Sequence, residues 1–216
     1  MGETVVKALD NVDLDINAGE LATILGPSGA GKTTLLNILG GITTPTTGTI
    51  NVFGKQIEGN STAELAKYRR TTVSFVFQFF NLFPTLNALE NVEIAIEKMG
   101  SKAEVRKTAE KYLKDVGLDD RMTHFPSQLS GGEQQRVAIA RALAKQPFTD
   151  DNLMVLCDEA TGNLDEVTGD TILDLIRGLN EEFNVTFIYV THNKEIVTKL
   201  GAKEIHVHNG KITEIH

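Results

Sequence analysis

The sequence predicts an α/β fold in which helices flank a mostly parallel sheet. Three observations carry this prediction. Short apolar runs recur along the 216 residues and end at glycine or polar residues, as strands do. The run at residues 153–157 is apolar throughout, which is typical of a strand buried on both faces of a parallel sheet. Apolar residues between residues 79 and 145 mostly follow a helical period, which indicates a helical subdomain inserted into a strand–helix core.

The elements can be assigned in chain order. The predicted strands are residues 12–16, 21–25, 49–53, 72–77, 153–157 and 185–191, followed by a terminal hairpin at 205–208 and 211–215. The first strand is predicted because Val12, Leu14 and Ile16 alternate with polar residues. The predicted helices are residues 34–39, most of 88–118, 133–145, and a segment in which Ile172, Leu175, Ile176 and Leu179 recur at helical spacing.

These elements predict one domain over residues 1–216. Residues 1–78 and 146–216 are expected to form the core, together with a small antiparallel β-subdomain near the N-terminus. Residues 79–145 are expected to form the helical subdomain.

Composition narrows the possible classes of function. The formal net charge of −8 argues against a broad nucleic-acid-binding surface. The single cysteine, Cys157, cannot form an internal disulfide, which indicates a reducing compartment, and we expect it to be a buried apolar filler. No apolar run approaches the ~20 residues that a membrane-spanning helix needs, and no basic-then-apolar leader is present. We therefore expect action on a membrane to require a partner.

The most informative segment is GPSGAGKT at residues 26–33, which fits the phosphate-binding pattern G-x-x-x-x-G-K-[ST]. A predicted strand precedes it and a predicted helix follows, so the helix N-terminus adds its dipole to the anion site. Lys32 is expected to reach the β- and γ-phosphates, and the Thr33 hydroxyl to hold Mg²⁺. The other predicted phosphate-binding residues are Gly26, Pro27, Ser28, Gly29, Ala30 and Gly31.

Two further segments extend this chemistry. Asp158 and Glu159 directly follow the apolar run, and ligands of parallel sheets bind at the carboxyl ends of strands. Asp158 is therefore predicted to meet Mg²⁺, and Glu159 to accept a proton from the attacking water or to orient it.

The third element is LSGGEQQR at residues 129–136, leading into a helix. Ser130, Gly131 and Gly132 predict a second anion site at a helix N-terminus. An ordinary serine N-cap remains the alternative. Two phosphate-binding helix ends in one chain suggest that two copies face each other, each supplying half of every nucleotide pocket.

The order of these segments resembles an ATPase subunit of the ABC type over nearly the whole chain. Gln78, the GNLD sequence at residues 162–165 and His192 complete the resemblance. Residues 77–92 and 158–165 are similar to one branch, the ATPases of lipoprotein-releasing and macrolide-export complexes. The resemblance implies a P-loop NTPase core, ATP and Mg²⁺ as ligands, a homodimer over two nucleotides, and an integral membrane permease as partner. It also implies a peripheral position on the cytoplasmic face of the membrane and no nucleic-acid partner.

The resemblance also implies roles for individual residues. Lys32, Thr33 and Thr34 would hold the phosphates and Mg²⁺, and Gln78 would approach Mg²⁺ and the attacking water. Ser130 and Gly132 would bind the γ-phosphate held by the opposite subunit. Asp165 would lie at the dimer seam. His192 would contact the γ-phosphate, although it could instead cap a helix at residues 193–200.

Two departures from the family pattern carry consequences. No Phe, Tyr or Trp occurs in residues 1–25, where the family usually has an aromatic residue that stacks on adenine, and no leading strand is predicted to carry one. We therefore expect weak discrimination among nucleoside triphosphates. Ala160 stands where this branch usually has proline. We expect little effect, because Asp158 and Glu159 are intact.

Alternative functions share part of this evidence. A mechanical signal transmitter, which works on a membrane partner without moving a substrate, would carry every one of these motifs. A nucleic-acid ATPase of the repair or translation kind is disfavoured, since no long heptad insertion and no second cassette are visible. A metal site at His206, His208 and His216 is possible, but three solvated histidines are the simpler interpretation.

Overall fold

The computed structural model describes residues 7–149 and 152–216. Its main sheet has six strands in the order β4-β5-β6-β1-β7-β8, all parallel except the last, which is antiparallel to β7. A separate two-stranded antiparallel sheet joins β2 to β3. The strands are β1 (Leu21–Leu25), β2 (Asn51–Val52), β3 (Lys55–Gln56), β4 (Val73–Phe77), β5 (Met154–Asp158), β6 (Thr186–Thr191), β7 (Lys203–His208) and β8 (Lys211–Ile215).

Seven α-helices lie in the described ranges. They are α1 (Lys32–Leu39), α2 (Thr62–Thr71), α3 (Ala88–Ile96), α4 (Lys102–Asp115), α5 (Gly131–Leu143), α6 (Glu166–Phe183) and α7 (Lys194–Leu200). Short 3₁₀ turns occur at Asp119–Arg121, Pro126–Gln128 and Gln146–Phe148. None of the described helices has the length and apolar character to cross a membrane.

The central strands bury both faces, as the apolar run in β5 predicts. Val155 of β5 and Phe187 of β6 pack into the core cluster on one side of the sheet. Leu156 and Ile188, one residue further along each strand, pack into the cluster on the other side. Cys157 is fully buried among the first set, which confirms its role as an apolar filler, and burial raises the pKa of its thiol.

Two strand predictions in the N-terminal part of the chain need correction: the strand at residues 12–16 is wrong, and the strand at residues 49–53 is too long. Residues 12–16 form no strand, although Val12, Leu14 and Ile16 are half-buried while Asp13 and Asp15 are exposed. The alternation is present because Leu14 and Ile16 pack on the core edge, without any ladder of backbone hydrogen bonds. The predicted strand at 49–53 shrinks to Asn51–Val52. The prediction that no leading strand is present falls partly on residues 1–6, outside the described residues.

The region between β4 and β5 is helical, as predicted. Helices α3, α4 and α5 share a buried core that includes Val92, Ala109, Leu113 and Leu143. Arg141 of α5 fastens the loop after β4, because its guanidinium donates hydrogen bonds to the Phe80 and Asn81 carbonyls at 2.8 and 2.6 Å. The helical region is thereby held against the carboxyl end of β4.

Candidate active site

Four parallel strands end beside predicted site residues at one edge of the sheet. Strands β4, β5, β6 and β1 are neighbours in that order, so their carboxyl ends lie side by side. They lead into Gln78, Glu159, His192 and Gly26 respectively. The sheet order therefore gathers residues that lie up to 166 positions apart in the chain.

The backbone of the phosphate loop adopts a conformation that requires glycine at two positions. Gly29 and Gly31 adopt positive φ values of 78° and 104°, where L-residues with side chains are strained. A Cβ on Gly31 would lie 2.5 Å from the Ala8 carbonyl oxygen, so only glycine fits that approach. The backbone at Ala8 therefore lies against the loop and leaves no room for a side chain at Gly31.

Helix α1 differs from the other described helices at its N-terminus. The other six have Ser, Asn or Asp at the N-cap, with a side-chain oxygen accepting a backbone hydrogen bond. Helix α1 has Gly31 at the N-cap, no side-chain cap and no acidic residue in its first turn. Its first N–H groups are therefore left for an external anion, and the positive end of its dipole is not neutralised.

Lys32 sits inside this loop. Its side chain is buried, and Nζ donates hydrogen bonds to the carbonyl oxygens of Gly26 and Pro27 at 2.6 and 2.9 Å. Burial lowers the pKa of Lys32, while the charges of Glu159 and Asp158 raise it. Burial raises the pKa of Asp158, helped by Glu159 and opposed by Lys32. The ammonium and the two carboxylates therefore lie within electrostatic reach of one another.

The donor set fits a magnesium nucleotide. The Thr33 hydroxyl and the Asp158 carboxylate offer the oxygen ligands that Mg²⁺ prefers, next to an uncapped helix end that favours phosphate. The half-buried Asp158 has a raised pKa, as expected of a carboxyl group that a bound cation would keep ionised.

Glu159 and His192 are paired. Glu159 Oε1 lies 2.6 Å from His192 Nδ1. Glu159 has a φ of 47° and its N–H donates to the Val190 carbonyl at 3.0 Å, so the turn after β5 is tied to the adjacent β6. His192 does not cap α7, because Asn193 does so through its side chain. The helix-cap alternative for His192 is therefore wrong.

Gln78 is held by a residue that sequence reasoning did not single out. Gln78 Nε2 donates to Asn163 Oδ1 at 3.0 Å, and Asn163 Nδ2 donates to the Gln78 carbonyl at 3.0 Å. The two-way contact joins the loop after β4 to the loop after Glu159. Both residues follow parallel strands, which was the available signal, but their pairing depends on the tertiary structure.

Gln78, Glu159, Asp165 and His192 line one cleft of about 450 Å³. Asp165 is exposed and caps α6, accepting a hydrogen bond from the Thr168 N–H at 3.0 Å. A hydrogen bond from the Thr168 side chain, followed by that backbone hydrogen bond and others nearby, lowers the pKa of Asp165. The cleft brings together the predicted residues that follow β4, β5 and β6.

Ser130 begins helix α5 on an exposed surface. Its side chain accepts from the Glu133 N–H at 3.3 Å, and Glu133 Oε2 accepts from the Ser130 N–H and Oγ, each at 2.8 Å. Arg121 Nε donates to the other oxygen of Glu133 at 3.2 Å. Ser130 is thus an N-cap in a complete capping box, as the alternative interpretation states, and its hydroxyl is engaged within its own chain.

Comparison with known proteins decides the family. Residues 9–162 match the ABC transporter family. The chain is 47% identical over 215 residues to the ABC transporter ATP-binding protein MJ1508 of Methanocaldococcus jannaschii, covering 99% of this chain and 93% of the relative. This chain belongs to the ABC transporter family. As a member it is an ATP-binding cassette and an ATPase.

Solved cassettes share the fold. The dimeric post-hydrolysis state of the ATP-binding cassette MJ0796, bound to ADP and Pi, superposes with a TM-score of 0.85 at 41% identity, covering 100% of this chain and 93% of that one. A second dimeric structure of MJ0796 gives a TM-score of 0.85 at 42% identity, with the same coverage. The α/β fold, the mostly parallel sheet and the family resemblance predicted from sequence are confirmed.

The cassette also contains a buried polar brace behind Glu159 that no sequence signal indicated. The Thr161 N–H donates to the Tyr189 hydroxyl at 3.1 Å, and Thr161 Oγ1 lies 2.9 Å from the same oxygen. Gln135 Nε2 donates to the Ala160 carbonyl at 2.6 Å. Ala160 is therefore fixed through its backbone, a contact that does not depend on its side chain.

Proposed function

We propose that this chain is the ATP-hydrolysing subunit of an ABC transporter, which dimerises over two Mg-ATP and drives a membrane permease. The observation that carries the proposal is the 2.6 Å contact between Glu159 and His192, beside an uncapped phosphate-binding helix end. A carboxylate paired with an imidazole at this position can take a proton from water and keep its orientation.

The phosphate loop and α1 are the proposed binding half of the site. The backbone N–H groups from Gly26 to Gly31, with Lys32, would hold the β- and γ-phosphates, and Thr34 would add its hydroxyl. Lys32 would exchange its two loop carbonyls for phosphate oxygens. Mg²⁺, held by Thr33, Asp158 and Gln78, would supply charge neutralisation at the transferring phosphate.

Hydrolysis would rest on Glu159, His192 and Gln78. Glu159 accepts the proton of the attacking water in this proposal, and His192 contacts the γ-phosphate while holding Glu159 through Nδ1. Gln78 orients the water after leaving Asn163, its present partner. Since phosphoryl transfer depends mainly on positioning and charge stabilisation, these contacts account for most of the expected rate enhancement.

The second half of each pocket would come from the partner subunit. Ser130, Gly131 and Gly132 begin α5 at an exposed helix end, and Asp165 is exposed at the start of α6. In the proposed dimer Ser130 and Gly132 bind the γ-phosphate held by the opposite subunit, and Asp165 lies at the seam. Both MJ0796 structures are dimeric, which supports a two-subunit arrangement for this chain.

The membrane partner would dock on the helical region. We take residues 79–145 as the helical subdomain, and residues 1–78 with 146–216 as the core and β-subdomain. Phe79 and Phe83, in the loop after Gln78, are 71% and 49% exposed, which suits contact with a permease. The similarity of residues 77–92 to lipoprotein-releasing and macrolide-export ATPases favours an exporter of that type. The subunit would then sit at the cytoplasmic face of the membrane.

Light scattering tests the proposal. Glu159→Gln should bind Mg-ATP without hydrolysing it and shift from monomer to dimer, whereas without nucleotide it should stay monomeric. Glu181→Gln, an exposed change on α6, is the matched control and should hydrolyse ATP normally. If Glu159→Gln hydrolyses ATP at the rate of Glu181→Gln, the assignment of Glu159 is wrong. If it binds ATP and stays monomeric, the two-subunit site is wrong for the isolated chain.

A further inference from the structure

The terminal hairpin gathers two histidines and two glutamates on one face. His206 of β7 lies opposite Glu214 of β8, and Glu204 exchanges backbone hydrogen bonds of 2.9 Å with His216. Residues two apart along a strand point to the same side, so all four side chains share that side of the hairpin. Sequence analysis favours solvated histidines, but the fold places an imidazole next to a carboxylate in both strands.

The distances within this cluster suit a metal ion. The ligand atoms of His206, Glu214 and His216 all lie within 4.8 Å of one another. Ligands at about 2.0–2.2 Å from a tetrahedral zinc ion are about 3.4 Å apart, so each pair of ligand atoms must approach by at most about 1.4 Å. Glu214 and His216 are 62% and 64% exposed and therefore free to rotate toward the more buried His206.

Glu204 supplies the outer contact that metal-binding histidines use. Its Oε1 lies 2.7 Å from His206 Nε2. With the proton on Nε2, that contact orients the ring and leaves the Nδ1 lone pair for a metal ion. The rings of His206 and His216 stand edge to face at 6.0 Å between centroids, so the two imidazoles are close without stacking.

We propose that the β7–β8 hairpin binds a late first-row divalent cation such as Zn²⁺ through His206, Glu214 and His216, with Glu204 orienting His206. Two imidazoles select Zn²⁺ or its neighbours over Mg²⁺, which prefers oxygen ligands. The site is separate from the Mg²⁺ ligands proposed at Thr33 and Asp158. Because Glu214 and His216 are exposed, an ion can reach the site directly from solvent.

Calorimetric titration of the untagged full chain with Zn²⁺ tests the site. One Zn²⁺ per chain is expected, and excess Mg²⁺ should not displace it. Glu204→Gln should weaken binding about 10-fold, the scale of an outer-contact loss, and His206→Ala or His216→Ala should weaken it further. His208→Ala is the matched control, because His208 lies in the same hairpin beyond the bulge, opposite Lys211, and should bind Zn²⁺ like the unchanged chain.

Two outcomes would overturn the site. The first is the absence of stoichiometric Zn²⁺ binding, which would leave two histidine–glutamate hydrogen bonds. The second is equal Zn²⁺ affinity in the His206→Ala, His216→Ala double variant and in His208→Ala. Melting curves and Mg-ATP binding of each variant report whether it is folded, independently of metal. Titration with Co²⁺ gives a second readout, since the visible spectrum of a tetrahedral N/O site should vanish in the double variant.

Discussion

The N-termini of α1 and α5 carry the two proposed anion sites of this cassette, and they are built in opposite ways. Helix α1 begins at Gly31 with no capping side chain and no acidic residue. Helix α5 begins at Ser130 with a full capping box, and Glu133 places a carboxylate on the helix end. The N–H groups at the start of α1 thus have no capping side chain, whereas those at the start of α5 are capped by Ser130 of the same chain.

The two helix ends therefore suit different steps: nucleotide binding by one subunit, and dimerisation of two subunits. An uncapped N-terminus gains most from phosphate, because its N–H groups have no other partner. A capped N-terminus must exchange an existing contact for a phosphate, so its gain is smaller and depends on a partner subunit. We therefore expect α1 to hold nucleotide in the monomer, and α5 to contribute when two subunits meet.

The largest effect should come from the α1 end. Lys32→Met should lower Mg-ATP affinity by about 10–100-fold, because it removes a charged hydrogen-bond donor worth roughly 1.5–3 kcal/mol. Lys145→Met is the matched control, since Lys145 is half-buried and also donates to two backbone carbonyls, those of Arg69 and Val73. Its melting temperature should fall while its ATP affinity stays close to the original. Fluorescent-nucleotide titration measures the affinity of each variant and thermal melting measures its stability. Equal affinity losses in the two variants would contradict the special role of α1.

A smaller effect is expected from removing the capping serine of α5, with the capping serine of α4 as the comparison. Ser130 and Ser101 cap α5 and α4 with the same hydrogen bonds to Glu133 and Glu104. Ser130→Ala and Ser101→Ala should each lower the free energy of unfolding by about 1 kcal/mol. Only Ser130→Ala should also reduce ATP-driven dimerisation, when combined with Glu159→Gln. If Ser101→Ala reduces dimerisation equally, Ser130 is an ordinary N-cap and no phosphate ligand.

The pKa values of Glu133 and Glu104 give a second comparison of the two capping boxes. Hydrogen bonds from Ser130 lower the pKa of Glu133 below its ordinary value of 4.5, with a smaller contribution from Arg121. Hydrogen bonds from Ser101 lower the pKa of Glu104 likewise. A depressed pKa means that each carboxylate stabilises the fold above pH 4.5, and that this stabilisation is lost as the pH falls through the folded-state value.

Carboxyl NMR titration can separate the two glutamates. Arg121→Ala should raise the pKa of Glu133 and leave that of Glu104 in place, because Glu133 is the one of these two glutamates that contacts Arg121. An unchanged Glu133 midpoint would mean that the Arg121 contact is absent in solution.

The smallest expected effect concerns the base. In the proposed site the α1 end contacts the phosphates, and residues 1–25 offer no aromatic residue to stack on adenine. Losing such a stack removes ~1–3 kcal/mol of base-dependent binding, so ATP and GTP should bind the 216-residue chain with affinities within about tenfold. Competition titration with both nucleotides measures the ratio. Strong preference for ATP would show that another group reads the base.

Most of the fold could be predicted from local patterns. The strand before Gly26, the strand before Asp158 and the terminal hairpin were predicted within one or two residues, because apolar runs and turn residues are short-range signals. The strand at 12–16 failed because alternation reports partial burial on the core edge, and a strand also needs a neighbour to pair with.

By itself, the sequence determined where a phosphate-binding loop is predicted, since the spacing of Gly26, Gly31 and Lys32 is a local property of one loop. Tertiary structure alone decided the pairing of Glu159 with His192, of Gln78 with Asn163, and of His206 with Glu214. Those pairs depend on the order and register of strands, which are set by long-range packing and backbone pairing across the sheet. Local periodicity carries no record of either.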